Sequence, residues 1–311
     1  VLIQNQKVEV TLSNKKQAWM HAIRLRTLPL ALSSILMGSF LAAFQDQFRL
    51  WVFLLAALTT IFLQILSNLA NDYGDSIHGA DSADREGPIR AVQSGVISLE
   101  EMKKAMFLFG TLSLISGLAL LYISLQDWKI FLLFLGLGIA SIIAAVTYTS
   151  GSKPYGYAGL GDISVFLFFG LLGVMGTYFL HSLSFDWSIV FPAVSLGFFS
   201  SAVLNINNIR DIKADTKAGK KSIPVRIGRE LAVKYNWALL VLGYLCLIAF
   251  VFFKLDLLFW DYLKIIFRFI GGFMPNIILD FLVDGLVMLF LGLLVFFSKK
   301  STLLINSEKN I

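Results

Sequence analysis

The chain of 311 residues contains one cysteine and three histidines, and only 15% of its residues are charged. Cys246 has no second thiol to meet, which excludes an intrachain disulfide and a cysteine-based metal cage. His21, His78 and His181 are scattered with no ligand spacing, so they read as ordinary polar or interfacial residues. The stretch before Leu28 lacks the apolar core of a cleavable signal, and the first hydrophobic segment is expected to stay in the mature protein. Alternation of polar and apolar residues is missing from the hydrophobic segments, which excludes a transmembrane β-barrel.

What the chain has instead is apolar length. Hydrophobic residues make up 57% of it, against about 45–50% in a soluble domain, and charged residues fall well below the usual quarter. Seven segments approach the ~20 residues that a spanning helix needs: 28–44, 50–70, 105–125, 130–149, 163–183, 189–209 and 237–253. Two weaker ones follow at 257–272 and 277–297, interrupted by Asp261, Lys264, Arg268, Asp280 and Asp284. The expected fold is all-α, a polytopic transmembrane bundle of about nine spans, with eight possible. It divides into an N-terminal cytoplasmic segment (1–27), a transmembrane domain (28–297) and a C-terminal tail (298–311). Gly136, Ala140 and Ala144 form a small-residue stripe expected to let the fourth span pack closely.

The net charge of +6 raises a nucleic-acid reading, but the placement of the charges argues for topology. Basic residues crowd the segment before the first span and the loops 71–104 and 210–236. Arg49, Lys129 and Lys254 are the only ones in the alternate loops. The positive-inside rule then puts the N-terminus and both long loops in the cytoplasm of a multi-pass inner-membrane protein, with the lipid bilayer, not nucleic acid, as its partner. Nine spans would leave Lys299, Lys300 and Lys309 outside. Either the last segment is interfacial or the rule is broken there.

Two acidic clusters stand at the downstream ends of the second and sixth spans. The first is Asn68-Leu-Ala-Asn71-Asp72-Tyr-Gly-Asp75, followed by Asp81; the second is Asn208-Ile-Arg-Asp211-Ile-Lys-Ala-Asp215. An aspartate at the centre of a spanning helix costs about 2.5–3.5 kcal/mol on insertion scales, so paired clusters beside a bilayer point to a task. If the helices continue through the motifs, Asn68 and Asp72 share a face, as do Asn71 and Asp75, and Asn208, Asp211 and Asp215 return to one face of the other. Both spans run in the same sense, so the motifs face each other across one cavity. Hard oxygen donors in this pattern suit Mg²⁺, which takes one or two carboxylates and completes its shell with substrate phosphate. A diphosphate held through such ions needs neighbouring cations, for which Arg85, Arg90, Lys153, Lys220 and Lys221 are available; topology alone also accounts for basic residues there. Tyr148, Tyr155 and Tyr157 either face a cationic intermediate or mark the membrane interface.

These motifs resemble those of the intramembrane aromatic prenyltransferases, the UbiA superfamily. The likeness rests on the two clusters, on Asp84-Arg85-x-Gly87-Pro88-x-Arg90, on Gly219-Lys220, and on Ala22-Ile-Arg24-x-Arg26-Thr-Leu-Pro29 at the entry to the first helix. Val92-Gln93-Ser94-Gly95 and Pro154-Tyr-Gly-Tyr-x-Gly-Leu-Gly161-Asp162 are similar to the branch that prenylates 1,4-dihydroxy-2-naphthoate in menaquinone synthesis. The resemblance implies catalytic Asp72, Asp75, Asp211 and Asp215, with Mg²⁺ held by them and by Asn68, Asn71 and Asn208. It implies a polyprenyl diphosphate and a naphthoate bound by Arg24, Arg26, Asp81, Arg85, Arg90, Tyr148, Lys153, Tyr155 and Lys220, with Arg24 or Arg26 on the naphthoate carboxylate. The product would be demethylmenaquinone, with CO₂ and diphosphate released. Prenyl or phytyl transfer to another acceptor (hydroxybenzoate, a porphyrin) is the neighbouring alternative. An ion-coupled transporter with Asp72 and Asp211 as coupling sites is the rival from another class, and motifs at helix ends rather than mid-membrane weigh against it.

Overall fold

The computed structural model describes residues 14–79 and 90–254, and every described element is helical. The helices are α1 (Lys15–Ile23), α2 (Leu28–Phe44), α3 (Leu50–Ile77), α4 (Leu99–Ser124), α5 (Trp128–Thr147), α6 (Gly161–Val165), α7 (Gly176–Ser182), α8 (Val190–Arg210), α9 (Ile212–Lys217), α10 (Ile223–Ile227) and α11 (Arg229–Lys254). A π-helical stretch, Phe166–Met175, joins α6 to α7 into one fifth span. Seven spans are long and apolar enough to cross a membrane among the described residues. The two weaker segments, the tail, Asp81 and Arg85 lie outside the described residues.

Local chemistry sets the helix ends. Ser98 and Glu101 form a reciprocal capping box, Glu101 N donating to Ser98 Oγ (3.2 Å) and Ser98 N to Glu101 Oε2 (3.0 Å), so α4 begins before its apolar run. Asp127 caps α5 by accepting from Lys129 N (2.8 Å) and Ile130 N (3.0 Å). At the same end of the bundle as Asp127 the Arg49 guanidinium donates to Ser124 O and Leu180 O (3.3 Å each) and to Ile123 O (2.5 Å), taking up the orphan carbonyls that close α4 and α7. His181 is buried beside it, its Nδ1 accepting from Arg49 N (3.0 Å) and its Nε2 paired with Ser39 Oγ (3.0 Å).

α3 packs on α4 and α5, α8 packs on the fifth span and α11, and α2 touches both groups. Glycine permits the closest approaches. A Cβ on Gly74 would fall 2.4 Å from Thr149 O, and one on Gly170 would fall 2.7 Å from both Ala193 O and the Gly197 Cα. The stripe on the fourth span does not act this way. A Cβ on Gly136 would meet nothing within 4 Å, and α5 has no buried residue among those described. Close packing is carried by α3, the fifth span and α8 instead.

Candidate active site

The two acidic motifs open into one cavity of about 1430 Å³ lined by α2, α3, α4, α5, the fifth span and α8. It follows α3 from Ala56 to Asp75, about 28 Å of helix at 1.5 Å per residue, close to the ~30 Å of a hydrocarbon core. The walls away from the motifs are mainly apolar, with Leu63, Leu121, Phe134, Ile142 and Phe168 among them and uncharged serines and threonines between. Charge is confined to the end where Asp72, Asp75, Asp211 and Asp215 meet Arg24, Arg90 and Lys220.

α3 carries the first motif as one continuous helix, since it runs to Ile77 rather than stopping with the hydrophobic segment. The second motif departs from continuity: α8 ends at Arg210, Asp211 adopts φ −93°, ψ 12°, and α9 resumes at Ile212. Asp215 N still donates to Asp211 O (2.8 Å), so the break bends the motif without separating its carboxylates by a loop.

Each carboxylate is matched by a cation. Arg90 spans the first motif with Nη1 2.9 Å from Asp72 Oδ1 and Nη2 2.7 Å from Asp75 Oδ2, while Arg24 also pairs with Asp72. Lys220 Nζ lies 3.3 Å from Asp75 Oδ1 and 3.6 Å from Asp215 Oδ1, joining the motifs. Arg210 pairs with Asp211 through Nε (2.9 Å) and Nη2 (2.7 Å). Burial raises the Asp215 carboxyl above its ordinary range, and Lys220 works against that rise. Burial likewise raises the Tyr148 and Tyr155 phenols, so both stay neutral in the cavity wall.

Of the residues expected from sequence, Arg24, Arg26, Asn68, Asn71, Arg90, Tyr148, Tyr155, Asn208 and Lys220 all line the cavity with the four aspartates. Asn68 also has a structural task. Its Nδ2 donates to Ile23 O (2.8 Å) and Thr27 Oγ1 (2.9 Å), which fixes the turn carrying Arg24, a residue in the left-handed region at φ 54°. Lys153 is exposed and outside the cavity lining, as is Lys221. Tyr157 does not line the cavity. It donates to Asp75 Oδ1 (2.9 Å) and stacks under Lys220 Nζ at 5.0 Å. Gln64 and Asn207 face the same space; sequence reading missed Gln64 and gave Asn207, which opens the second motif, no role, although each lies one helical turn upstream of a singled-out residue, Asn68 and Asp211.

Among the described residues no three acidic or histidine side chains converge into a ready-made metal cage. The donor set nonetheless fits Mg²⁺. Carboxylate and amide oxygens stand on both sides of the cavity mouth, and an ion taking one or two of them leaves positions for phosphate oxygens.

Known proteins are similar to this chain over most of its length. The model of the UbiA prenyltransferase family matches residues 31–276. A protein of Escherichia coli (strain K12) named 1,4-dihydroxy-2-naphthoate octaprenyltransferase is 47% identical over 250 residues, 80% of this chain and 81% of that one. One of the same name from Haemophilus influenzae is 48% identical over 241 residues, 77% of this chain and 78% of that one. The fold is similar to that of a UbiA homolog from Archaeoglobus fulgidus bound to DMAPP and Mg²⁺, at a TM-score of 0.58 and 18% identity, covering 93% of this chain and 87% of that one. On its motifs, its fold and these relatives, the chain belongs to the UbiA prenyltransferase family.

Proposed function

We propose that this protein transfers a polyprenyl group from polyprenyl diphosphate to 1,4-dihydroxy-2-naphthoate, releasing diphosphate and CO₂ and forming demethylmenaquinone as its quinol. The observation that carries this reading is the long cavity: mainly apolar and uncharged along its length, and acidic with matched cations at one end only. That polarity suits a lipid tail with a diphosphate head. The names of the relatives from Escherichia coli and Haemophilus influenzae supply the acceptor.

Asp72, Asp75, Asp211 and Asp215, with Asn68, Asn71 and Asn208, would hold Mg²⁺. When bound, the ion neutralises charge on the departing diphosphate, a contribution of several kcal/mol. Arg24, Arg90 and Lys220 already sit among the carboxylates and are within side-chain reach of the same head group. As the allylic C–O bond breaks, the electron pair leaves with the diphosphate. The ring carbon bearing the carboxylate forms the new C–C bond, and its C–CO₂⁻ bond gives its electrons back to the ring as CO₂ departs. The apolar walls keep water from the cation, and the neutral Tyr148 and Tyr155 rings offer it π faces.

The basic loops flanking both motifs support a site on the cytoplasmic face of the inner membrane. A second reading, phytyl transfer, has one observation in its favour. A Synechocystis protein named 2-carboxy-1,4-naphthoquinone phytyltransferase is 31% identical over 220 residues, 70% of this chain and 68% of that one. Incubating purified protein with Mg²⁺, the naphthoate and either octaprenyl or phytyl diphosphate, then weighing the products, separates the two.

A further inference from the structure

A tyrosine serves a site with its ring face or with its hydroxyl, and the stretch between α5 and α6 separates the two uses. Tyr148 and Tyr155 stand in the cavity wall, whereas Tyr157 lies outside it. The bonds of the turn send it there. Gly156 N donates to Tyr148 O (2.9 Å) and Tyr157 N to Pro154 O (3.1 Å), folding the chain back on itself. A Cβ on Gly156 would fall 2.6 Å from Tyr148 O, so glycine permits this closeness. Lys221 N donates to Tyr157 O (2.9 Å) and Arg226 Nη2 to Ala158 O (2.5 Å), which fastens the turn to the chain after α9.

From that turn the Tyr157 side chain reaches both acidic motifs from behind the cavity wall. Its hydroxyl donates to Asp75 Oδ1 (2.9 Å). Lys220 Nζ, 3.3 Å from the same oxygen and 3.6 Å from Asp215 Oδ1, sits 5.0 Å from the centre of the Tyr157 ring. His78, which caps the end of α3, packs on that ring at 5.2 Å between centroids, with its Nδ1 2.8 Å from Gly74 O. One side chain thus touches the end of α3 and the lysine that joins the motifs. A carboxylate offers about four lone-pair positions, so the one given to the phenol leaves others for the cavity. The turn is fastened through the carbonyls of Tyr157 and Ala158, and its closure does not need the hydroxyl.

We propose that Tyr157 is a positioning residue for prenyl transfer: its hydroxyl fixes the orientation of Asp75 toward the divalent ion, and its ring holds Lys220 in place for the diphosphate. This rests on the prenyl-transfer reading above. A hydrogen bond from behind locks a metal-binding carboxylate in one orientation, and loss of such a partner costs about ten- to a hundredfold in metal affinity or activity. The ring face steadies the ammonium electrostatically without neutralising it, so the charge stays available to a phosphate.

The test is Mn²⁺ affinity, read by electron paramagnetic resonance on purified full-length protein with an inert prenyl thiolodiphosphate, Mn²⁺ standing in for Mg²⁺. Tyr157→Phe keeps the ring and removes the hydroxyl. It should weaken Mn²⁺ about ten- to a hundredfold and raise by a similar factor the Mg²⁺ concentration that gives half-maximal turnover. The unfolding temperature of metal-free protein should fall by no more than about 4 °C. Tyr157→Leu, which removes the ring as well, should in addition weaken binding of the thiolodiphosphate. Should Tyr157→Phe fail to fold, Tyr157→Trp, which keeps an aromatic face and misplaces the donor, serves in its place. Wild-type Mn²⁺ affinity in Tyr157→Phe overturns the proposal while leaving prenyl transfer standing, as does a much larger loss of metal-free stability, which would make the tyrosine a packing residue. Failure of wild type to bind Mn²⁺ in the presence of the thiolodiphosphate overturns the reading beneath it.

Discussion

Lys220 and Asp75 meet across the cavity mouth, Nζ to Oδ1 at 3.3 Å, and through this contact one ammonium ties the first acidic motif to the second. Both side chains are largely withdrawn from solvent, at 17% and 3% exposure, so the pair is not a screened surface contact. Removing one member of a buried pair costs about 3–5 kcal/mol when the other charge is left uncompensated; here Arg90 still neutralises Asp75 and holds the loss below that. Lys220→Met is therefore expected to lower the unfolding temperature of metal-free protein. Mg²⁺ with a prenyl diphosphate should recover part of the difference, and thermal unfolding in detergent with and without both ligands reads this out.

Asp72 lies on α3 and Asp211 at the break between α8 and α9, in separate motifs, so neither can substitute for the other in holding an ion shared with diphosphate. Asp72→Ala and Asp211→Ala should each abolish turnover while the protein still inserts. EDTA should do the same to wild type, with Mg²⁺ restoring activity. Prenyl transfer that persists in EDTA-treated protein would remove the metal from the account.

Glycine packing gives a paired prediction. Gly74→Ala forces a methyl to within 2.4 Å of Thr149 O, a backbone atom that cannot swing away, and should cost about 1–3 kcal/mol of stability. Gly136→Ala meets nothing within 4 Å and should stay within about 0.5 kcal/mol of wild type. Equal unfolding temperatures for the two variants would contradict the close contact of α3 with the turn after α5.

The charge pattern makes a prediction about sides. In a Cys246→Ser background, Thr216→Cys on the exposed face of α9 should resist an impermeant maleimide in intact cells. Ser184→Cys, exposed between α7 and α8, should react. The reverse labelling would turn the protein over.

Much of the fold was legible because hydropathy and caps speak to nearby residues. Seven of the apolar segments are helices, and only their ends differ. α4 starts at Leu99 and α11 at Arg229, earlier than the hydrophobic runs, because charged first turns hide a helix from a hydropathy reading. α3 continues through Asp75 because buried aspartates there are compensated by Arg90 and Lys220, which come from remote stretches of chain. The motifs themselves were legible from the recurrence of asparagine and aspartate at helical spacing. The break at Asp211, the π-helical stretch and the diversion of Tyr157 onto Asp75 were not, since each depends on what lies across the cavity.

The central claim is decarboxylative transfer of a prenyl group, and the fate of the acceptor's carboxyl carbon tests it most directly. Purified protein would be incubated with carboxyl-labelled 1,4-dihydroxy-2-naphthoate, a polyprenyl diphosphate and Mg²⁺, with gas and lipid fractions counted separately. The account predicts one labelled CO₂ per prenyl group transferred and an unlabelled, lipid-soluble naphthoquinol. A prenylated product that keeps the label would contradict it.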